Sequence, residues 1–256
     1  MGKYLNDFVI TKTSRLTQKY QLIELKAPEG ARLEEIKPGQ FVQIKIDNST
    51  TFLRRPISIH DVDIESGIIK LLVCRNGDGT NALCDMTEGC SINLMWPLGN
   101  SFTIPANNSD SVLLIGGGVG VAPLLYLGKI LRGKGFKVKF LLAARSASDL
   151  LQLDEFKKYG ELHLSTDDGS AGEKGLITQN SILDCPVNHV FCCGPMPMMK
   201  AVGKLCRKRG IDCEVSLENV MACGIGACLC CVEKTVKGNR CVCTEGPVFN
   251  IDELTW

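Results

Sequence analysis

The residues with the most evident chemistry are cysteines close to the end of the chain. The sequence runs Cys223-Gly-Ile-Gly-Ala-Cys228-Leu-Cys-Cys231, then eleven residues, then Cys243. A C-x4-C-x2-C run followed by a later lone cysteine is the plant-type spacing for a 2Fe–2S cluster. Two glycines in the first gap let the backbone wrap a bulky inorganic core and aim amides at its sulfurs. A structural zinc site is the competing chemistry, but four-cysteine zinc sites usually pair their ligands in two close C-x2–4-C units. Here three cysteines sit together and the fourth stands apart. Cys230 would break the x2 spacing, so Cys231 is the preferred third ligand. Spacing alone leaves Cys241 and Cys243 both open as the fourth.

Two glycine-bearing segments suggest phosphate binding. Ile115-Gly-Gly-Gly-Val-Gly-Val-Ala-Pro123 follows an apolar run and precedes a helical pattern. In that context a glycine loop offers free amides and a helix N-terminus to a pyrophosphate. It is not the G-x-G-x-x-G fingerprint, and no acidic residue ends the next strand at Ala143–Arg145, so a plain strand–helix turn competes. Cys193-Gly194-Pro195, at the end of a later strand, supports the nucleotide reading, because ligands bind at that edge of such sheets. Met198 and Met199 read individually as helix core, and Cys185, Cys192 and Cys193 as core thiols. Arg54-Arg55-Pro56-Ile57-Ser58 offers an arginine for a diphosphate and, three residues on, a hydroxyl that could reach a flavin nitrogen. Gly77-Asp78-Gly79-Thr80 precedes a helix-like run at Ala82–Met86 and is a further anion-friendly turn. By themselves these last two segments also suit a surface arginine pair and a hairpin turn.

The elements that must position these groups fall into three regions. Over residues 1–103, short alternating runs are punctuated by turns. Val42, Ile44 and Ile46 alternate with Gln43 and Lys45, placing three apolar side chains on one strand face. Gly67–Arg75 and Ser91–Trp96 look like further strands, and the spacing predicts a small antiparallel β-barrel. Over residues 104–215, strands at Ser111–Ile115, Lys137–Ala144, Leu162–Ser165 and His189–Cys193 alternate with helical stretches at Ala122–Arg132, Asp149–Lys158 and Met196–Lys208. That alternation predicts a doubly wound α/β unit. Residues 216–256 are cysteine- and glycine-rich and too short to fold alone without a staple. With no low-complexity linker between them, the three units are expected to pack directly on one another.

Bulk composition narrows the function classes. Charge is balanced, 29 Lys+Arg against 28 Asp+Glu, which gives no electrostatic case for nucleic acid or an anionic membrane. The start is polar, without the apolar core of a secretory signal. The uncharged stretch Ser111–Gly128 contains six glycine and proline residues, which suit a buried strand and turn better than a membrane span. Fourteen cysteines without a signal, six of them within Cys223–Cys243, fit a reducing, cytoplasmic compartment and a thiolate-bound metal. His60, His163 and His189 form no recognisable constellation. The sequence offers no convincing general acid or base.

Taken together, Arg-Pro-x-Ser, Gly-Gly-Gly-x-Gly-x-Ala-Pro and Cys-Gly-Pro-x-x-Met resemble the ferredoxin-NADP reductase superfamily. Glu218-Asn-Val-Met-Ala-Cys-Gly-Ile-Gly-Ala-Cys-Leu-Cys-Cys231 with Val242-Cys-Thr-Glu-Gly-Pro-Val-Phe249 is more specific. It resembles the electron-transfer subunits of dihydroorotate dehydrogenase B, over essentially the whole chain. Leu53–Ile59, Pro97–Asn100 and Thr166–Ser170 belong to the same pattern. The resemblance implies FAD on Arg55, Pro56, Ile57 and Ser58, with Val73, Cys74 and Arg75 lining the site and Gly79 and Thr80 on its phosphates. It implies NAD⁺ bordered by Gly117, Gly118, Gly120, Cys193, Gly194 and Pro195. It implies a 2Fe–2S cluster on Cys223, Cys228, Cys231 and Cys243, the Cys-x-x-Gly-Pro-Val-Phe ending selecting Cys243 over Cys241. Glu245 stands where the family often has Asp, and Cys230 and Cys241 are given no role. An FMN-containing catalytic subunit is the implied partner, in a heterotetramer with two of each chain. Related subunits serve NADH-dependent ferredoxin-NADP reductases, sulfide dehydrogenases and hydrogenases. Choice of NAD⁺ rests on the resemblance alone, since Arg145 and Ser146 could meet a 2′-phosphate or form an ordinary strand end.

Overall fold

The structure is a computed structural model that describes residues 2–47 and 50–256. Six strands close the N-terminal barrel: β1 (Tyr4–Arg15), β2 (Tyr20–Lys26), β3 (Phe41–Ile44), β4 (Arg55–Asp63), β5 (Ile68–Cys74) and, after helix α1 (Asp78–Asp85), β6 (Ser91–Leu98). Their order is β1-β2-β5-β4-β3-β6, every pair is antiparallel, and β6 returns to β1, so no edge is left unpaired. Inward residues such as Phe8, Ile10, Ile23, Leu71 and Trp96 are fully buried, whereas Asp7, Val9 and Thr11 between them face out.

Strand β3 departs from the alternation expected of it. All four of its residues are buried, Gln43 completely, and Ile46 lies beyond its end. One face of β3 lines the barrel and the other is covered by the cysteine-rich tail. Phe41 shares a core with Leu98, Cys231, Val242 and Cys243.

The second unit contains β7 (Val112–Gly117), α2 (Ala122–Gly133), β8 (Val138–Ala144), α3 (Leu153–Lys157), β9 (Glu161–Thr166), β10 (Glu173–Lys174), β11 (His189–Cys193), α4 (Met196–Arg209) and β12 (Asp212–Ser216). The helix expected across Asp149–Lys158 is thus one short turn, preceded by a 3-10 turn at Ala147–Asp149. Sheet order is β10-β9-β8-β7-β11-β12, all parallel. The chain winds outward from β7 through β8 and β9, then resumes on β7's other side at β11. That reversal makes the carboxyl ends of β7 and β11 a topological switch point, where doubly wound folds bind ligands.

The tail forms a hairpin, β13 (Val232–Thr235) and β14 (Gly238–Cys241), a short helix α5 (Val242–Glu245) and β15 (Val248–Asn250). β15 pairs antiparallel with β12 and becomes the seventh strand of the parallel-rich sheet. The staple this short region needs is therefore supplied in part by its neighbour.

Polar bonds fix the barrel to the sheet unit. Buried Asp61 on β4 takes Lys129 of α2 at 2.9 Å and Lys70 at 3.5 Å, and Lys129 also donates to Val62 O. Tyr126 donates to Ile36 O at 3.2 Å. His60 Nδ1–H donates to Ala122 O at 2.8 Å, and burial holds its pKa down to about 4. A neutral, fully buried imidazole at this interface is structural. Glu214 accepts from both the amide and hydroxyl of Thr103, clamping the linker. Among the described residues no helix is long and apolar enough to cross a membrane.

Candidate functional site

The two neighbouring arginines do different work. Arg54 is spent inside the barrel wall: it donates to the carbonyls of Gln43 and Asn93 and to Asn93 Oδ1 at 2.6 Å. Arg55 instead lies over the first turn of α1, where a Cβ on Gly79 would come within 2.7 Å of its Nε. That Nε is buried without a hydrogen-bond partner among the described residues. Helix α1 starts at Asp78, earlier than the sequence pattern suggested, so Gly79 and Thr80 belong to its first turn, where N–H groups have no intrahelical acceptor. Thr80 Oγ1 accepts from Asn76 N and donates to Gly77 O, fixing the turn. A guanidinium aimed at a helix N-terminus is a donor set for a diphosphate.

Beside it the barrel wall splits. The last pair between β4 and β5 is Ile59 with Leu71. Continued pairing would set Ser58 to Arg55 against Leu72 to Arg75, but β4 turns to β3 there, pairing Ser58 with Phe41. The gap is therefore bordered by the two segments singled out for a flavin. Pro56, Ile57, Ser58 and Cys74 are half-buried along it. Val73 points its side chain into the barrel core, leaving only main chain to the gap. Arg75 is committed to the other end of α1, pairing with Asp85 at 2.8 Å and donating to Cys84 O.

At the switch point the two nucleotide loops touch. Cys193 pairs with Gly116 across β11 and β7, and a Cβ on Gly120 would lie 2.5 Å from both Cα and N of Gly194. Gly117 lies against Met198 and Pro195. Tyr20, from the barrel, brings its hydroxyl to 3.7 Å from where a Gly118 Cβ would stand. The Cys193 thiol is wholly buried, and burial, then the Glu218 carboxylate, raise its pKa far above the ordinary value. Its Sγ approaches Glu218 Oε1 at 3.9 Å. Glu218 reaches solvent, yet partial desolvation pushes its carboxyl upward, against the lowering effect of the Cys193 contact. Sequence reasoning quoted Glu218 without giving it a role. Its only sequence signal is its position just after the last parallel strand.

The cysteine loop gathers thiols and amides. Gly224 and Gly226 have φ of 71° and 82°, the left-handed region that glycine tolerates. This turning lets Ile225 N reach Cys223 Sγ at 3.4 Å and Gly226 N reach Cys243 Sγ at 3.2 Å, while Cys243 N donates to Cys231 Sγ at 3.4 Å. Desolvation works to raise the Cys223 thiol, but the amides of Ile225, Cys228 and Ala227 and the Cys228 thiol outweigh it, bringing it to about 6. Burial, then the bond to Cys231, push Cys243 up to about 12. Among the described residues no three His, Cys, Asp or Glu side chains are grouped for a single metal ion. The loop offers paired thiols with amides directed at sulfur, a donor set suited to a larger core. Cys230 is exposed and turned to Val220 O, whereas Cys241 stays beside Cys231, Cys223 and Cys228.

Residues 218–255 match the family model described as the iron-sulfur cluster binding domain of dihydroorotate dehydrogenase B. Residues 114–204 match the oxidoreductase NAD-binding domain. Among curated proteins, the dihydroorotate dehydrogenase B (NAD(+)) electron transfer subunit of Shouchella clausii is 36% identical, with 96% of each chain covered. The chain belongs to this family. The Clostridium acetobutylicum subunit of the same name is 42% identical over 86% of this chain and 87% of its own. Among solved structures, one described as an NADH-dependent reduced ferredoxin-NADP oxidoreductase superposes with a TM-score of 0.87 at 31% identity, covering 97% of this chain and 90% of that one. A ferredoxin reductase of carbazole 1,9a-dioxygenase, at 20% identity and TM-score 0.71, shares the fold.

Proposed function

We propose that this chain relays electrons between a partner dehydrogenase subunit and NAD⁺. One observation carries the reading: the cysteine loop and the Arg55–Ser58 segment pack on the same barrel strand, β3. When bound, a 2Fe–2S cluster supplies single-electron transfer and FAD couples it to hydride exchange with NAD⁺. The chain's part is to hold these groups close and exclude water between them. Residues 1–103 form the FAD unit, 104–215 the nicotinamide nucleotide unit and 216–256 the cluster unit.

Arg55, Gly79 and Thr80 hold the FAD diphosphate, Pro56, Ile57 and Ser58 face the flavin, and the main chain of Val73, Cys74 and Arg75 closes the far side of the gap. Gly117, Gly118 and Gly120, with Cys193, Gly194 and Pro195, border NAD⁺. Cys223, Cys228, Cys231 and Cys243 ligate the cluster. The touching glycine loops, the orphaned Arg55 Nε and the convergent thiols support these assignments. The partner is an FMN-containing dihydroorotate dehydrogenase subunit, two of each chain assembling in the cytoplasm. A related role, serving an NADH-dependent ferredoxin-NADP oxidoreductase, draws on the 31%-identical structural relative.

Two outcomes follow. Arg55→Leu is expected to weaken FAD binding by about 10- to 100-fold, the worth of a charge-assisted hydrogen bond to phosphate, read by flavin release on gel filtration. Arg54→Leu should instead lower the melting temperature, with flavin retained. The isolated chain should oxidise NADH with ferricyanide but leave dihydroorotate untouched until the partner is added. Dihydroorotate turnover by this chain alone would defeat the relay.

A further inference from the structure

Gln43 lies between the flavin segment and the cysteine loop, and its side chain has nothing to bond among the described residues. It is completely buried, and neither Oε1 nor Nε2 has a hydrogen-bond partner among the described residues. A buried amide left this way costs free energy comparable to a lost hydrogen bond, so its retention calls for a partner. The described residues of the barrel supply none. Gln43 is paired across the sheet with Pro56, which has no N–H, and with Met95.

Two residues along the strand from Phe41, Gln43 shares its face, and that face packs against the tail. A Cβ on Gly224 would lie 2.8 Å from Gln43 Cγ and 3.0 Å from Nε2, so the amide rests on the loop backbone beside Cys223. On this loop Ile225 N and Gly226 N already donate to cysteine sulfurs. The side of the loop facing the barrel has Gln43.

We propose that Gln43 Nε2 donates a hydrogen bond to a sulfur of the 2Fe–2S cluster, cysteinyl or bridging, and thereby raises its reduction potential. This rests on the cluster assignment made above. Added negative charge in the reduced form strengthens a bond donated to sulfur, so the donor favours reduction. Gln43 is a positioning and tuning residue, and its carbonyl, bonded to Arg54, keeps the strand rigid while the amide reaches the loop.

The test is a potentiometric titration of the whole chain carrying FAD and cluster, with the reduced cluster followed by EPR. Gln43→Leu keeps the bulk and removes the donor. Its cluster should become about tenfold harder to reduce, about 59 mV lower for one electron, with the FAD potential unmoved. Gln43→Glu should shift it further in the same direction. An assembled Gln43→Leu cluster at the wild-type potential would overturn the proposal. Should either variant lose its cluster, the unaltered chain decides. Side-chain ¹⁵N-labelled glutamine should show hyperfine coupling to the reduced cluster in pulsed EPR, and no coupling would overturn the proposal. Wild-type protein without any iron–sulfur signal would overturn the cluster assignment itself.

Discussion

Cys243→Ser is expected to strip the chain of its iron, while Cys230→Ser and Cys241→Ser keep it. Cys243 is fully buried, its sulfur takes the Gly226 amide and its own amide donates to Cys231 Sγ, so its sulfur cannot be replaced from solvent. Cys230 points away from the loop, toward Val220 O, and the Cys241 amide is held by Glu245 at 2.8 Å. Loss of an outer-shell partner costs metal sites 10–100-fold, so loss of a ligand should cost dihydroorotate-driven NAD⁺ reduction more than about 100-fold. NADH oxidation by ferricyanide should survive, because the gap beside Arg55 and the glycine loops are untouched. Iron analysis and that pair of assays check it. Iron lost from Cys241→Ser and kept by Cys243→Ser would reassign the fourth ligand.

Gly120→Ala is expected to cut nicotinamide chemistry about 100-fold while leaving both other centres in place. The added methyl would meet Gly194 Cα and N at 2.5 Å, and these are backbone atoms of the facing loop, with no flexible end to swing aside. The loops must separate, and misplacement on the order of 1 Å costs a reaction about 100-fold. NADH-dependent reduction of ferricyanide should fall by about that factor, with flavin and iron content unchanged. Gly133→Ala is the control, since nothing lies within 4 Å of the added methyl. Equal activity in the two variants would remove the two glycine loops from the nucleotide site.

Much of this architecture is legible in the chain because its signals are local. The His189–Cys193 strand is found at the bounds read from its apolar run, and the helix read as Met196–Lys208 runs one residue further. What was hidden depends on contacts between distant segments. Gln43 reads as a solvent-facing strand position because alternation assumes one wet face, and the tail covers that face. β15 is only three residues long, and only pairing with β12 makes it a strand. Arg54 and Arg55 are indistinguishable by type, and the split between β4 and β5 assigns one to the wall and the other to the recess. Glu218 gains its raised carboxyl from desolvation, against the lowering effect of its contact with Cys193, and no spacing encodes either.

The central claim is that one chain connects NAD⁺ to a cluster through a flavin. Anaerobic titration of the purified chain with NADH, followed by visible absorption and EPR, tests it most directly. The account predicts a brown protein with about two irons per chain, in which NADH bleaches the flavin and also raises the EPR signal of a reduced cluster. Flavin bleaching with no cluster signal, or a colourless zinc-containing chain, would contradict it.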